Sequence, residues 1–221
     1  MVSSYLTQSA LNVEPADVEL ALSQLDEFLQ DQSNWQDAVW AYRIPELGEG
    51  GACSLFGYLQ DEPFELNSLL PQDEQTSQAL AKLQSIVAFV QRQTNVDWFG
   101  IYQTRETSQG AQLLKLAYHG APSRPLFPVN EQFAATSNNV QVVISGHARV
   151  INDVAAYVDN GGEYYTCDPK VQAEACLPLF DNANNCIGII DAEAFSKDFF
   201  TPSVLALLIA VCIKIPQYLP E

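Results

Sequence analysis

The sequence predicts an α+β domain in which an antiparallel sheet is flanked by N-terminal and C-terminal helices, with an extra acidic segment in front of it. Three observations lead to this class: amphipathic helical stripes, two β-rich hairpins between them, and a change in charge near residue 75. Of the 221 residues, 48% are apolar, which is enough hydrophobic material for a core and excludes wholesale disorder.

The charge distribution divides the chain into three predicted parts. Residues 1–75 hold 14 acids and one base, whereas residues 76–221 hold 13 acids and nine bases. We therefore predict an acidic N-terminal extension over 1–75, a domain over 76–213 and a C-terminal tail over 214–221. The net charge of −17 would repel a phosphate backbone or an anionic membrane surface, so we expect small molecules or other proteins as partners.

The five cysteines and the N-terminal residues bear on metal binding and on the cellular location of the protein. No C-x-x-C spacing and no nearby histidine pair is present, so no metal site is predicted. The N-terminus lacks the basic flank and apolar run of a signal peptide, which predicts a reducing, cytoplasmic location. The only long apolar run, 204–213, is too short to cross a bilayer, which takes about 20 residues, and is predicted to be a buried helix.

The predicted elements follow in chain order. An apolar stripe over 18–28 predicts a helix with Pro15 in its first turn, and 35–70 contains only short strands or turns. A second stripe predicts a helix over 76–93. Next come a hairpin (97–104 and 111–118), a helix (137–145), a loop (159–163), a second hairpin (174–180 and 186–194) and a last helix that Thr201 caps and that ends ahead of Pro216.

The alternation of side chains along the hairpins brings acids and aromatics onto one face. Trp98 and Tyr102 share a face of the first hairpin, whereas Phe99 and Ile101 point to the opposite face and read as core. In the second hairpin the corresponding face carries Glu174, Cys176, Asp191 and Glu193. Carboxylates in otherwise apolar strands are costly to bury, so either these strand ends are solvated or the acids await a cationic or hydrogen-bonding ligand.

Three motifs in this order carry a family resemblance: D-W-F-G-I-Y at 97–102, Y-x-C-D at 165–168 followed by A-E-A-C-L-P-L, and I-G-I-I-D-A-E at 187–193. Together they resemble the GAF domains of the free methionine-(R)-sulfoxide reductase family, from about residue 76 to 213. Ala173 stands where that family usually has Ser, and Glu193 stands where it has Asp.

The resemblance implies a fold, a reaction and a set of site residues. It implies a GAF-like fold with a closed cavity in which Trp98, Tyr102, Glu174, Asp191 and Glu193 bind free methionine sulfoxide. The cysteine that matches the family's nucleophile is Cys167, and its thiolate would attack the substrate sulfur. The resulting sulfenic acid would be resolved by a second thiol and reduced by an external, thioredoxin-like dithiol, with no other cofactor.

The chain departs from this family in its resolving cysteines. The region 120–136 has Arg124 and Ala134 where the family has cysteines. Cys176 is the candidate replacement because it is predicted to face the cavity, although a strand cysteine is usually inert core. Cys53 is a less constrained candidate, and direct attack by an external thiol is a third route.

Two further alternatives stay open. The protein could be a non-catalytic GAF module that binds or senses a small molecule, since the resolving cysteines are absent.

The oligomeric state of the protein depends on the apolar run 204–213. If the helix over 18–28 does not cover this run, a partner subunit should, giving a homodimer through terminal helices.

Overall fold

The computed structural model describes residues 1–47, 54–164 and 168–221, which form two N-terminal helices, two small β ribbons and a six-stranded sheet with helices. The helices are α1 (Val2–Ser9), α2 (Pro15–Gln30), α3 (Glu74–Thr94), α4 (Glu131–Ala134), α5 (Asn138–Ser145), α6 (Val154–Asp159) and α7 (Pro202–Lys214). The strands are β1 (Ala41–Tyr42), β2 (Pro45–Leu47), β3 (Ser54–Leu59), β4 (Phe64–Glu65), β5 (Trp98–Thr107), β6 (Gly110–His119), β7 (Leu126–Pro128), β8 (Arg149–Ile151), β9 (Ala173–Phe180) and β10 (Cys186–Ala194).

The main sheet has the strand order β7-β6-β5-β10-β9-β8, and every pairing in it is antiparallel. The two predicted hairpins, β5–β6 and β9–β10, meet where β10 pairs with β5. The remaining ribbons, β1–β4 and β2–β3, lie outside this sheet. The predicted α+β class with flanking helices is therefore confirmed.

The two faces of the sheet have different coverings. Phe99 and Ile101 point into the large core formed with α3 and α7, as the alternation predicts. Trp98 and Tyr102 belong to a smaller cluster on the other face, together with Phe127 and Val140. The helical face is therefore solid core, and the second face is free to build a site.

The acidic N-terminal segment packs into the large core. In α2, Val18 and Leu25 are fully buried, and this helix lies along α7. α7 itself is buried over most of its length, from Ala206 to Cys212. The condition for a homodimer through an uncovered α7 is thus not met, and the oligomeric state stays a prediction.

The helix limits follow the local capping chemistry. Asp73 accepts a hydrogen bond from the backbone N–H of Thr76, so α3 begins two residues before its predicted start. Thr201 accepts from the N–H of Val204 at the start of α7, as predicted. The short elements β7, α4, β8 and α6 carry too few residues for a periodic signal and were not predicted. Among the described residues, no helix is both long and apolar enough to cross a bilayer.

Candidate functional site

A cavity of about 250 Å³ opens on the second face of the sheet, beneath the loop that follows β6 and the start of α5. This volume lies below the roughly 300–1,000 Å³ typical of sites for drug-sized ligands, so it suits a metabolite of amino-acid size. The five predicted ligand-binding residues all line it: Trp98, Tyr102, Glu174, Asp191 and Glu193.

Strand register explains why these side chains converge. Glu193 is paired with Glu174 across the β9–β10 hairpin and with Trp98 on the β5 side. Asp191 lies opposite Gly100 of β5, the residue between Trp98 and Tyr102 on their shared face. Side chains on one face of paired strands stand about 5 Å apart, so three carboxyl groups and two rings form one floor.

Two asparagines at the start of α5 hold two of the floor carboxylates. Asn138 Nδ2 donates to Glu174 Oε1 at 3.0 Å, and Asn139 Nδ2 donates to Asp191 Oδ2 at 3.1 Å. The side-chain oxygens of both asparagines and Asp191 Oδ1 are buried and have no hydrogen-bond partner among the described residues. Buried polar atoms are normally satisfied, so these three oxygens leave capacity for a ligand that donates hydrogen bonds.

The three carboxyl groups of the floor have raised pKa values, which favours their neutral form or the binding of a cation. Burial raises the pKa of Asp191, and the neighbouring charge of Glu174 raises it further. Burial also raises the pKa of Glu193, with added repulsion from Asp191 and Glu174. The pKa of Glu174 is raised by burial, although hydrogen bonds from Tyr164 and Asn138 oppose the shift. Such a cluster favours a bound ammonium group or protonated carboxyls that donate hydrogen bonds.

Two basic residues lie near this cluster in the folded chain, Lys115 and Arg149. The charge of the fully buried Lys115 partly opposes the rise in the pKa of Glu193, and the charge of Arg149 partly opposes the rise in the pKa of Glu174. The Lys115 ammonium lies 4.0 Å from the ring centroid of Tyr118 and 4.9 Å from that of Tyr42. Only the folded chain brings these groups together.

The loop after β6 forms one side of the cavity and is tied to the sheet. Lys115 Nζ donates to Ser123 O at 2.8 Å and to Ser123 Oγ at 2.6 Å. Trp98 Nε1 donates to Ala121 O at 2.9 Å. Arg124, which stands in the place of a family cysteine, lines the cavity, and its guanidinium carbon lies 4.9 Å from the ring centroid of Phe127.

The predicted cysteines have different positions. Cys167 and Cys53 lie outside the described residues, while Asp168, the residue after Cys167 in the sequence, lines the cavity. Cys176 points to the cavity side of the sheet but is fully buried among apolar side chains. Burial raises the pKa of its thiol, which disfavours the thiolate needed for exchange.

Sequence reasoning missed several lining residues. Asn138 and Asn139 gave no signal beyond following the helix cap Ser137. Asp97 and Phe195 also line the cavity, and the backbone N–H of Phe195 donates to Asp97 Oδ2 at 2.7 Å. Within the described parts of the chain, no group of three or more His, Cys, Asp or Glu side chains has the geometry to hold a metal ion.

Fold and site together define an α+β domain with a buried, acidic cavity of metabolite size. The chain belongs to the GAF domain family, because the family model matches residues 78–216, which is more than half of the sequence. A comparison of the sequence with curated proteins gives no match.

Solved structures of similar fold include two free methionine-R-sulfoxide reductases. The type II enzyme of Thermoplasma acidophilum has a TM-score of 0.56 at 18% identity, over 66% of this chain and 94% of that one. The enzyme of Neisseria meningitidis, in complex with its substrate, has a TM-score of 0.52 at 21% identity, over 66% and 81%. A further GAF domain gives 0.52 at 15% identity, over 65% and 78%. At these identities the likeness shows the fold alone.

Proposed function

We propose that this GAF protein reduces free methionine (R)-sulfoxide in a thiol-dependent reaction, with Cys167 as the nucleophile. The observation that carries the proposal is the floor of the cavity, where Trp98, Tyr102, Glu174, Asp191 and Glu193 line one space of amino-acid size. The same five residues lie in the sequence motifs that resemble those of the free methionine-(R)-sulfoxide reductases. Three carboxyl groups with raised pKa values and two aromatic rings suit a small ligand that carries an ammonium group and a sulfoxide.

The floor offers two kinds of assistance to such a substrate. An ionised carboxylate pairs with the ammonium group and relieves the repulsion among Glu174, Asp191 and Glu193. A protonated carboxyl donates a hydrogen bond to the sulfoxide oxygen and makes the sulfur more electrophilic. The faces of Trp98 and Tyr102 accommodate the aliphatic part of the molecule.

The redox step transfers one oxygen atom. The Cys167 thiolate attacks the sulfoxide sulfur and forms a sulfur–sulfur bond, while a protonated floor carboxyl gives its proton to the sulfoxide oxygen. The hydroxyl then moves to the cysteine sulfur as the sulfur–sulfur bond and the substrate sulfur–oxygen bond break, which leaves a sulfenic acid on Cys167 and methionine. Cysteine sulfur loses two electrons and substrate sulfur gains them. A second thiol then displaces water from the sulfenic acid and forms a disulfide, which a thioredoxin-like dithiol reduces. We place this cycle in the cytoplasm, where such dithiols are kept reduced.

The identity of the second thiol is part of the proposal. Cys176 and the less constrained Cys53 are the candidates within the chain, but the burial and raised pKa of Cys176 favour resolution by an external thiol. A disulfide requires Cα atoms within about 7 Å, so use of Cys176 demands that Cys167 reach the sheet.

A second candidate function is a non-catalytic module that binds the same class of ligand. Two observations favour it. Arg124 and Ala134 stand where the free methionine-(R)-sulfoxide reductases have cysteines, and Cys176 is buried. Such a module would bind its ligand in the acidic cavity without turning it over.

A single-turnover assay separates the two functions. Wild-type protein, reduced and freed from excess thiol, is mixed with free methionine (R)-sulfoxide, and methionine is measured. We expect about one methionine per protein for wild type and none for Cys167→Ser. Cys176→Ser should keep the first turnover, and continued cycling with small thiols in this variant would indicate external resolution. Binding of the sulfoxide by wild type without any methionine formed would establish the module instead.

A further inference from the structure

The cavity is lined in part by the N-terminal segment, which lies outside the matched GAF region. Pro45 of β2 and Gly57 and Leu59 of β3 all line the same cavity as Trp98 and Glu174. We call these three residues the hairpin wall. Because the family match begins at residue 78, this wall is a feature of the present chain and not of the GAF domain as such.

The hairpin wall is held in place by the base of its ribbon. Pro45 pairs with Leu59, and the backbone N–H of Gln60 donates to Ile44 O at 2.9 Å. Arg43 donates to Gln60 O at 3.0 Å. Ile44 is itself buried, which anchors the start of the ribbon in the protein.

A second connection ties the segment to the cavity side of the sheet. Tyr42 OH donates to Lys115 O at 2.7 Å, and the Tyr42 ring lies beside the Lys115 ammonium. The same ammonium donates to Ser123, which lines the cavity. Lys115 therefore joins the N-terminal segment to the loop after β6 that lines the cavity.

Two residues of β3 line the cavity, and one between them does not. Gly57 and Leu59 share the face that lines the cavity, whereas Tyr58 points to the opposite side and is 66% exposed. Leu59 is 37% exposed, which is high for a leucine, and its apolar surface contributes to the cavity lining. Gly57 contributes no side chain, so of the two β3 residues that line the cavity only Leu59 contributes an apolar side chain.

We propose that the hairpin wall limits the length of the ligand, with Leu59 as the specificity-determining residue and short aliphatic ammonium compounds as the ligand class. The acidic floor holds the ammonium group, and the apolar remainder extends along the aromatic rings until it meets the wall. The inference rests on the proposed function for the claim that free methionine (R)-sulfoxide belongs to this class. Length discrimination by an apolar wall is typically worth about tenfold or more in affinity per methylene.

Calorimetric titration of a ligand series tests the wall. The probes are linear alkylammonium ions of increasing length and free methionine (R)-sulfoxide, and the proteins are wild type, Leu59→Ala and the matched control Tyr58→Ala. We expect wild-type affinity to fall sharply beyond a limiting chain length. Leu59→Ala should bind the ions just beyond that limit about tenfold more tightly than wild type does. Tyr58→Ala should follow the wild-type profile within about twofold.

The outcomes separate the wall from the proposed function. Identical length profiles for wild type and Leu59→Ala would overturn the wall, even if methionine (R)-sulfoxide binds and Glu174→Gln abolishes its binding. A shifted length limit together with no binding of methionine (R)-sulfoxide would support the wall and contradict the proposed function. If wild type binds none of the probes, both are overturned.

Discussion

Single residues at the floor of the cavity carry the electrostatic character of the site. Asp191 is buried; its Oδ2 accepts a hydrogen bond from Asn139, and its Oδ1 has no partner in the described parts of the chain. Its pKa is raised mainly by burial and then by the charge of Glu174. The folded protein therefore keeps protons on these groups at pH values where the unfolded chain releases them, so stability depends on pH in a defined direction.

The substitution Asp191→Asn tests this direction. A carboxyl whose pKa is raised on folding contributes its full stability below its unfolded pKa of about 4 and loses it as pH rises through the folded value. We expect the free energy of unfolding of wild type to fall between pH 5 and pH 8. Asp191→Asn should flatten this fall and be more stable at pH 8 by about 1 kcal/mol or more. Urea unfolding at several pH values measures it.

Asp181→Asn is the matched control at an exposed turn. Hydrogen bonds from Asn185 and Ala183 lower the pKa of Asp181, so its contribution is present above the unfolded value and is lost only on acidification. This variant should keep the wild-type slope between pH 5 and pH 8. An equal slope in wild type and Asp191→Asn would contradict the assignment of raised pKa values to the floor.

At the scale of secondary-structure elements, the site depends on the close approach of β5 and β10. Gly188 of β10 lies beside a register irregularity and opposite Gln103. A Cβ built at Gly188 would lie 2.2 Å from Tyr102 O and 3.1 Å from the Cα of Gln103, both of them backbone atoms. The two strands cannot accept a side chain there without moving apart, which would also displace Tyr102 in the cavity.

Gly188→Ala should therefore destabilise the protein through strain between two strands. We expect a loss of about 1–3 kcal/mol in the free energy of unfolding, the range typical of overpacking. Gly110→Ala is the control: its φ is +92°, but a Cβ there has no neighbour within 4 Å, so only backbone strain of about 1–2 kcal/mol is expected. Denaturation of both variants, with ligand binding measured in parallel, checks the difference. Weaker ligand binding by Gly110→Ala than by Gly188→Ala would contradict the account.

The elements show what could be predicted from the sequence and what could not. Alternation places Trp98 with Tyr102 on one face of β5 and Asp191 with Glu193 on one face of β10, so the residues of the floor were predictable. Asn138 reaches Glu174 only because α5 packs over β9, a contact that no local pattern encodes. Lysines are mostly exposed, whereas Lys115 is buried beside Tyr42, which is 73 residues away in the sequence.

For the molecule as a whole, the acidic N-terminal segment is both part of the core and part of the cavity lining. α2 covers α7 with Val18 and Leu25, and β3 contributes Leu59 to the cavity. The charge boundary near residue 75 marks a change of composition. Composition does not report packing, however, because a helix with a charged outer face can still bury its apolar stripe.

The comparison of Leu25→Ala with Leu20→Ala tests the structural role of this segment. Both leucines lie in α2, but Leu25 is fully buried and Leu20 is 61% exposed. We expect Leu25→Ala to lower the free energy of unfolding of the whole protein by about 2–5 kcal/mol in one cooperative transition. Leu20→Ala should change it by less than about 0.5 kcal/mol. A separate early transition for α2, with the rest unaffected, would contradict a shared core.

In the proposed reaction, a substrate held on the acidic floor oxidises Cys167. The most direct measurement is the oxidation state of this cysteine after reduced protein is mixed with an equimolar amount of free methionine (R)-sulfoxide. Dimedone traps the sulfenic acid, and peptide mass spectrometry locates it. We predict a dimedone adduct on Cys167 in wild type and its loss in Glu174→Gln. An unmodified Cys167 in wild-type protein that has bound the sulfoxide would contradict the claim.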